Sequence, residues 1–178
     1  MDTRVLNKIF FIGEGNLLKK LLRIIVSENP NITNLLPIPK DLPKEKENTL
    51  SEKLKFFKSY KVSNYSEWIT TYWGNEAFGD ITLINEEDNK ISFNFYSELS
   101  DAKIILINIQ KKYPKLKVNA EFQFGREYLN ERFETKMING EVYYRINDDK
   151  YHKYSNHIQL RIDEILNNKS SSDLKMVA

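Results

Sequence analysis

The sequence predicts an α+β fold built on a ferredoxin-like core, in which split β-α-β units form one antiparallel sheet. Three observations favour this class. A strand pattern and a helix pattern open the chain, and two strands, a helix and another strand follow in that order after residue 80. An Asn-Gly pair near residue 140 then marks a β-hairpin. Inserted helices, that added hairpin and a C-terminal helix are expected to enlarge the core.

The composition limits the classes of protein that fit. With 178 residues, the chain suits a single domain, expected over 1–168 with a tail at 169–178. Its 27 Lys and Arg against 25 Asp and Glu give a net charge of +2, which gives no strong reason to expect nucleic acid or an anionic membrane as partner. The absence of cysteine excludes disulfides and thiolate chemistry. No secretion signal opens the sequence, so a cytoplasmic location is expected.

The first strand and helix are expected within residues 5–26. Residues 5–12 are β-branched and aromatic and end at Gly13-Glu14-Gly15, which predicts a strand and a tight turn. Asn16 is expected to cap the helix that follows, whose leucines fall on one face. Residues 29–48 contain four prolines and a charged run, and they predict a loop insertion without a core element.

Two short helices are expected next. Thr49 and Glu52 have the spacing of a capping box, and apolar residues follow at i, i+4 and i+7. These apolar residues are Leu50, Leu54 and Phe57. A second helix is expected to begin near Asn64, to bury the aromatic residues within 68–73, and to end at Gly74.

The second half of the chain is dominated by strand patterns. Residues 81–84 and 91–96 predict two strands around the polar tip Glu86-Glu87-Asp88-Asn89. Ser100 is expected to cap a helix over 101–113, which Pro114 stops. The remaining expected elements are a strand at 118–124, a hairpin of 133–138 and 141–146 joined by Asn139-Gly140, and a last helix over about 154–166.

The order of these segments resembles a known family. The matching segments are residues 7–13 with the helix after them, 35–42, Tyr72-Trp73-Gly74-Asn75, Lys111-Lys112-Tyr113-Pro114 and Asn139-Gly140-Glu141. Over residues 5–146 the set resembles the YubB-like proteins of plasmids, phages and integrated elements, which carry a ferredoxin-like domain and have no accepted catalytic residues. The resemblance implies an accessory protein of a mobile genetic element, and it transfers no catalytic residue.

A non-catalytic binding protein is therefore the function that we expect, without cofactor or metal. Its partner would be a host or phage protein. An inhibitor of a host defence nuclease of the CRISPR type fits the small size, the lack of catalytic motifs and the implied genetic context, by association. The oligomeric state is left open. The partner-binding candidates are Tyr60, Tyr65, Trp73, Ile104 and Ile107.

Two of these candidates have a competing interpretation. Ile104 and Ile107 make the apolar arc of the helix at 101–113 wider than a one-sided surface helix needs. Either the last helix, with isoleucines at 158, 162 and 165, covers them, or they form a partner surface. Cover within the chain is favoured. Helical spacing likewise favours a core role for Trp68, Ile69 and Tyr72, whereas Tyr60 and Tyr65 are the better surface candidates.

Nucleic-acid binding is the alternative function, through the sheet face or through a basic patch. The candidate residues are Lys111, Lys112, Lys115, Lys117 and Tyr96. Ferredoxin-like sheets often bind RNA through exposed aromatic residues on their central strands. Alternation puts Phe93 and Phe95 on one face, where a core role is favoured, and leaves Tyr96 as the only ring on the opposite face of that strand.

Several apparent motifs have a simpler structural interpretation. Gly13-Glu14-Gly15 lacks the remaining residues of a dinucleotide or phosphate loop, so a tight turn is favoured. His152 and His157 are five residues apart without companion ligands, which favours surface histidines over a metal site. Glu86-Glu87-Asp88 favours a solvated turn over a cation site. An enzyme working through carboxylates and tyrosines is disfavoured, because no titratable pair has a spacing that predicts proximity.

Overall fold

A computed structural model of the chain describes residues 4–27, 29–43, 49–75, 78–98, 100–124 and 129–155. The strands are β1 (Arg4–Ile12), β2 (Thr82–Glu87), β3 (Lys90–Glu98), β4 (Lys117–Phe124), β5 (Leu129–Ile138), β6 (Glu141–Ile146) and β7 (His152–Lys153). The helices are α1 (Gly15–Ile25), α2 (Leu50–Tyr60), α3 (Tyr65–Trp68) and α4 (Lys103–Lys112), with a 3₁₀ helix at Ile32–Leu35 and a π-helical turn at Ile69–Trp73. The expected α+β class is confirmed.

All seven strands form one open sheet in the order β2-β3-β1-β4-β5-β6-β7, and every pairing is antiparallel. β1 is a central strand, paired with β3 on one side and β4 on the other. Its side chains alternate strictly between buried and accessible positions. The buried ones are Val5, Asn7, Ile9 and Phe11. One face of the sheet therefore carries the core, and the other is open to solvent.

Helix α4 lies at the centre of the core, because every residue from Lys103 to Gln110 is buried. The sheet covers one side of it, and the π-helical turn covers another. The Asn108 Nδ2 donates to the carbonyl of Tyr72 at 3.1 Å, and the Thr135 hydroxyl donates to the Gln110 Oε1 at 2.8 Å. A helix enclosed in this way needs apolar residues, or polar side chains with hydrogen-bond partners, around its whole circumference.

Two early expectations were wrong in detail. α1 begins at Gly15 after Glu14, so Asn16 lies inside its first turn and caps nothing. The segment at 29–48 was expected to hold no core element, yet Asn31 caps the 3₁₀ helix by accepting from the Thr33 amide at 2.9 Å. This turn buries Ile32 and Leu35, and the chain beyond it buries Leu36 and Leu42. Residues 44–48 lie outside the described ranges.

The turn chemistry of the middle and late chain agrees with expectation. Thr49 and Glu52 form the capping box of α2. Asn64 caps α3 through the Glu67 amide at 3.0 Å, and Gly74 ends the π-helical turn with φ of 73°. Asn139 and Gly140, with φ of 50° and 78°, join β5 to β6, as a type I′ hairpin requires.

The expected starts of the last two helices were not correct. α4 begins at Lys103 rather than at 101, and Ser100 does not cap it. Instead, the Asn7 Oδ1 accepts from the Ala102 amide at 3.0 Å. Tyr154 is not helical, because its amide extends the sheet by donating to the carbonyl of Val142 at 2.9 Å. The remainder of the expected last helix and the expected tail lie outside the described residues.

Candidate functional site

Three of the five partner-binding candidates lie in the core. Ile104 is 8% exposed and Ile107 is 0% exposed. Trp73 is also buried, and its indole nitrogen donates to the carbonyl of Leu36 at 2.9 Å. These residues therefore offer no surface to a partner in the folded chain, which corrects their assignment. The physical reason is cover within the chain, because the sheet and the π-helical turn lie against α4 and the segment around Leu36 lies against Trp73.

The two tyrosine candidates lie nearer the surface. The Tyr60 hydroxyl donates to the Asp41 Oδ1 at 2.8 Å, and this hydrogen bond, followed by burial, raises the pKa of Tyr60. The backbone carbonyl of Tyr60 accepts from the Tyr72 hydroxyl at 2.8 Å. Tyr65 is exposed, and its amide donates to the carbonyl of Pro43 at 2.9 Å. Tyr60 thus anchors the end of α2, and Tyr65 remains an accessible ring beside it.

The most accessible apolar surface belongs to α2 itself. Leu50, Leu54 and Phe57, which we call the α2 apolar row, are 76%, 54% and 55% exposed. They follow at i, i+4 and i+7 and therefore share one helix face. No residue of α2 is buried, although the helix runs for 11 residues. An amphipathic helix normally turns such a face to the core, so this orientation is unusual.

The flanks of the α2 apolar row are basic. On a helical projection of 100° per residue, Lys53 and Lys58 lie on either side of the row. Both are exposed. The apolar periodicity predicts α2 but does not by itself show whether this face meets the core. A signal existed in the polar surroundings of the helix, since the run Lys44-Glu45-Lys46-Glu47 precedes it and no apolar residue lies directly opposite the row.

The lysines proposed as a basic patch are separated by the fold. Lys111 lies over the Tyr154 ring at 4.5 Å, and the Lys112 Nζ donates to the carbonyl of Leu35 at 2.7 Å. Partial burial lowers the pKa of Lys111, and burial followed by the charge of Lys20 lowers the pKa of Lys112. Lys115 and Lys117 are exposed, and Lys117 belongs to β4 on the open face of the sheet. The four lysines therefore do not form one surface.

The sheet aromatics divide between the two faces. Phe93 and Phe95 are buried, which confirms their core role, and Phe122 of β4 is buried as well. Tyr96 is 50% exposed on the opposite face, as alternation predicts. The Arg4 guanidinium lies 5.5 Å from the centroid of its ring. Arg4 and Tyr96 thus occupy the end of the open face where β1 begins.

The glycine turn and the acidic hairpin tip face each other across a cavity of about 510 Å³. Its walls include Glu14 and Gly15 at the start of α1 and Glu86, Glu87 and Asp88 from the hairpin. The Gly13 amide donates to the carbonyl of Asn89 at 3.0 Å, so the turn is held by the hairpin. In the described ranges, no group of three or more His, Asp or Glu side chains is placed to hold a metal ion.

His152 packs against the sheet as a structural residue. The ring of His152 stacks on Tyr144 with centroids 6.0 Å apart, and its Nε2 lies 3.7 Å from the Asp149 Oδ2. His157 lies outside the described residues. Among the helices that the structure describes, none has both the length and the apolar character needed to cross a membrane.

Comparisons of the chain with known proteins found no similar protein. No family model matches the chain, no curated protein matches it, and no solved structure matches it. The function must therefore be argued from the α2 apolar row and the other described surfaces.

Proposed function

We propose that the chain is a non-catalytic protein-binding protein that presents α2 to an apolar groove of its partner. The observation that carries this proposal is the exposure of Leu50, Leu54 and Phe57 on one helix face. Helices of this length draw most of their stability from packing, and in α2 this packing involves only half-buried residues such as Tyr60, whose ring centroid lies 6.2 Å from that of Trp68. Docking of an amphipathic helix into a groove uses this spacing of apolar anchors.

The charges beside the α2 apolar row indicate which kind of groove would bind it. Lys53 and Lys58 flank the α2 apolar row and remain exposed. A matching groove has an apolar floor and carboxylates along its rim, since complementary charges orient the complex and speed association. Tyr65 extends the surface beside the end of α2 with an aromatic ring, a residue type common at the centres of interfaces.

The proposal includes a fold family and a biological setting. We infer a ferredoxin-like core of β2-β3-β1-β4 with α1 and α4, supported by that strand order and by the antiparallel pairings. Strands β5 to β7 then extend the core beyond β4. The resemblance to YubB-like proteins supports an accessory protein of a mobile element that acts in the cytoplasm, with a host defence nuclease as its partner.

The test is affinity capture from nuclease-treated host lysate with the full chain and with Leu54→Glu/Phe57→Glu. Both positions are exposed, so the variant should keep its fold while two charges oppose the apolar groove. We expect one stoichiometric protein to be captured by the wild-type chain and to be lost with the variant. Inhibition of the captured protein, if it is a nuclease, would test the finer proposal.

The matched control is Lys55→Glu/Ser59→Glu, which also places two carboxylates on α2 but on the face opposite the row. It should capture the same protein as the wild-type chain. Equal loss with both variants would contradict the proposal, because charge or helix stability rather than the row would then control capture. Analytical ultracentrifugation tests whether the row binds a second copy of the chain instead. A dimeric wild-type chain together with a monomeric Leu54→Glu/Phe57→Glu variant would support that alternative.

A further inference from the structure

The open face of the sheet carries side chains that no helix of the described chain covers. Along β1, residues 6, 8, 10 and 12 remain partly exposed while their neighbours are fully buried. The same alternation continues through β4 and β6. The face therefore forms a continuous surface, which the proposed docking of α2 does not use.

Strand register aligns four lysines across this face. Lys90 of β3 and Lys117 of β4 both pair with Ile12, from the two sides of β1. On the far side, Tyr143 of β6 pairs with both Lys136 and Lys153. The pairing of Asn119 with Glu134 brings Lys117 opposite Lys136 two residues further along. We call Lys90, Lys117, Lys136 and Lys153 the lysine row.

The lysine row is long enough for an extended polyanion. It crosses from β3 to β7, which spans five strand spacings of about 4.8 Å and therefore roughly 24 Å. The row runs perpendicular to the strands, so its charges lie along one line rather than in a cluster. Such a line can follow a repeating anion such as a phosphate backbone.

Positive charge exceeds negative charge along the row. Lys90 lies 3.9 Å from Glu87, and Lys153 lies 2.6 Å from Glu141. In the adjoining position, Arg145 holds Glu134 at 2.8 Å. The four lysines of the row and Arg145 make five cations, and the carboxylates beside them are Glu87, Glu134 and Glu141. This leaves an excess of two positive charges. The lysine row and the charged residues beside it thus have the same net charge, +2, as the whole chain.

Aromatic rings accompany the lysines. Tyr143 stands between Lys136 and Lys153 in the register, and Lys136 lies 3.6 Å from the centroid of the Tyr151 ring. At the other end, Lys90 lies 5.5 Å from the centroid of Phe10. Bases of single strands stack on such rings, whereas the paired bases of a duplex are already stacked. An acidic protein would use the charges but not the rings.

We propose that the lysine row and its neighbouring rings bind single-stranded nucleic acid across the open face of the sheet. The phosphates lie along the lysines, and bases stack on Tyr143 and Phe10. The binding needs no sequence readout, because charge and stacking are common to all bases. It is independent of the proposed α2 interface, and failure of either leaves the other intact.

Fluorescence anisotropy with a labelled 15-nucleotide oligothymidine and the full chain tests the proposal. Binding should weaken with salt, with a slope of log affinity against log salt of about −2.8 for four phosphate contacts. Lys117→Glu/Lys136→Glu should lower the affinity by about tenfold or more and reduce the slope by about 1.4. Tyr143→Ala should lower the affinity and leave the slope unchanged, because it removes stacking and no charge.

The matched control is Lys19→Glu/Lys55→Glu, which reverses two exposed helix charges outside the lysine row and away from the flanks of the α2 apolar row, and it should bind like the wild-type chain. Lys90→Glu/Lys153→Glu gives a second test at the ends of the row should the central variant lose its circular dichroism spectrum. Salt-independent binding, or equal loss with the control, would overturn the proposal. Equal affinity for polyglutamate with the same variant losses would overturn it in favour of an acidic protein.

Discussion

Asn7 is a buried side chain whose hydrogen bonds join three elements. Its Nδ2 donates to the carbonyl of Val5 at 3.0 Å and to the Ser97 hydroxyl at 2.8 Å, and its Oδ1 accepts from the Ala102 amide. The last bond satisfies an amide at the start of α4 that has no partner within the helix. A buried amide of this kind stabilises the fold only because its donors and acceptors are paired.

Glu134 provides a residue-scale prediction about pH. Burial alone would raise the pKa of Glu134, but hydrogen bonds from Tyr151 and Arg145 and the nearby positive charges outweigh it and lower the pKa below the ordinary 4.5. A lowered pKa means that Glu134 contributes stability above pH 4.5, and that this contribution is lost as pH falls through the lower folded value. Glu134→Gln should therefore reduce the free energy of unfolding at pH 7 by about 1 kcal/mol.

Urea unfolding at pH 7 and at pH 3 measures this effect. The difference between Glu134→Gln and the wild-type chain should shrink at the lower pH, because the unfolded wild-type chain then binds a proton at this carboxylate that the folded chain resists. Glu121→Gln, at an exposed position on β4, is the control and should change stability by less than about 0.5 kcal/mol at pH 7. A difference for Glu134→Gln that is constant across pH would contradict the assigned role.

At the scale of elements, the contact of the π-helical turn with α4 depends on a glycine. Gly74 has a φ of 73°, and a Cβ at this position would lie 2.8 Å from the Ile104 Cβ. Gly140 has a similar φ of 78°, but an added Cβ there meets nothing within 4 Å. The two glycines thus share the left-handed conformation and differ in packing.

Gly74→Ala and Gly140→Ala should separate backbone strain from steric overlap. Both pay the left-handed strain of an alanine, roughly 1–2 kcal/mol. Gly74→Ala should lose a further 1–3 kcal/mol or so, because the helix or the turn must shift to admit the methyl group. Chemical denaturation of the two variants gives this difference directly. Equal losses in the free energy of unfolding would contradict this prediction, because they would mean that the turn admits the methyl group without a measurable loss of packing.

Local chemistry explains how much of these elements could be predicted. The Asn139-Gly140 hairpin and the Thr49 capping box depend on residues within four positions of each other, so the sequence displays them. The start of α4 depends in part on Asp101, whose Oδ1 accepts from the Lys103 amide at 3.0 Å. It also depends on Asn7, which lies 95 residues before Ala102, and no local pattern indicates that second contact. Periodicity likewise predicted the helix α2 but could not say whether its apolar face meets the core.

At the scale of the whole molecule, burial is distributed unevenly between α4 and α2. α4 is enclosed by the sheet and by the inserted segment, which folds back so that Trp73 contacts Leu36. Ile104 packs against this segment at Gly74, and both Ile104 and Ile107 are core residues, although their spacing also fits an interface. α2 projects from the same segment and buries no residue. The fold therefore buries α4, whose apolar spacing also fits an interface, and exposes the apolar face of α2.

Two truncations of similar size should consequently have opposite effects. Ile107→Ala removes a fully buried side chain and leaves a cavity, so the free energy of unfolding should fall by about 2–5 kcal/mol. Leu54→Ala removes an exposed side chain and inserts a strong helix former, so stability should change by less than about 0.5 kcal/mol. Urea denaturation measures both values, and partner capture should weaken with Leu54→Ala alone at temperatures where both variants are folded. A large loss of stability in Leu54→Ala would show that α2 packs within the chain, and the proposed interface would then have no free surface.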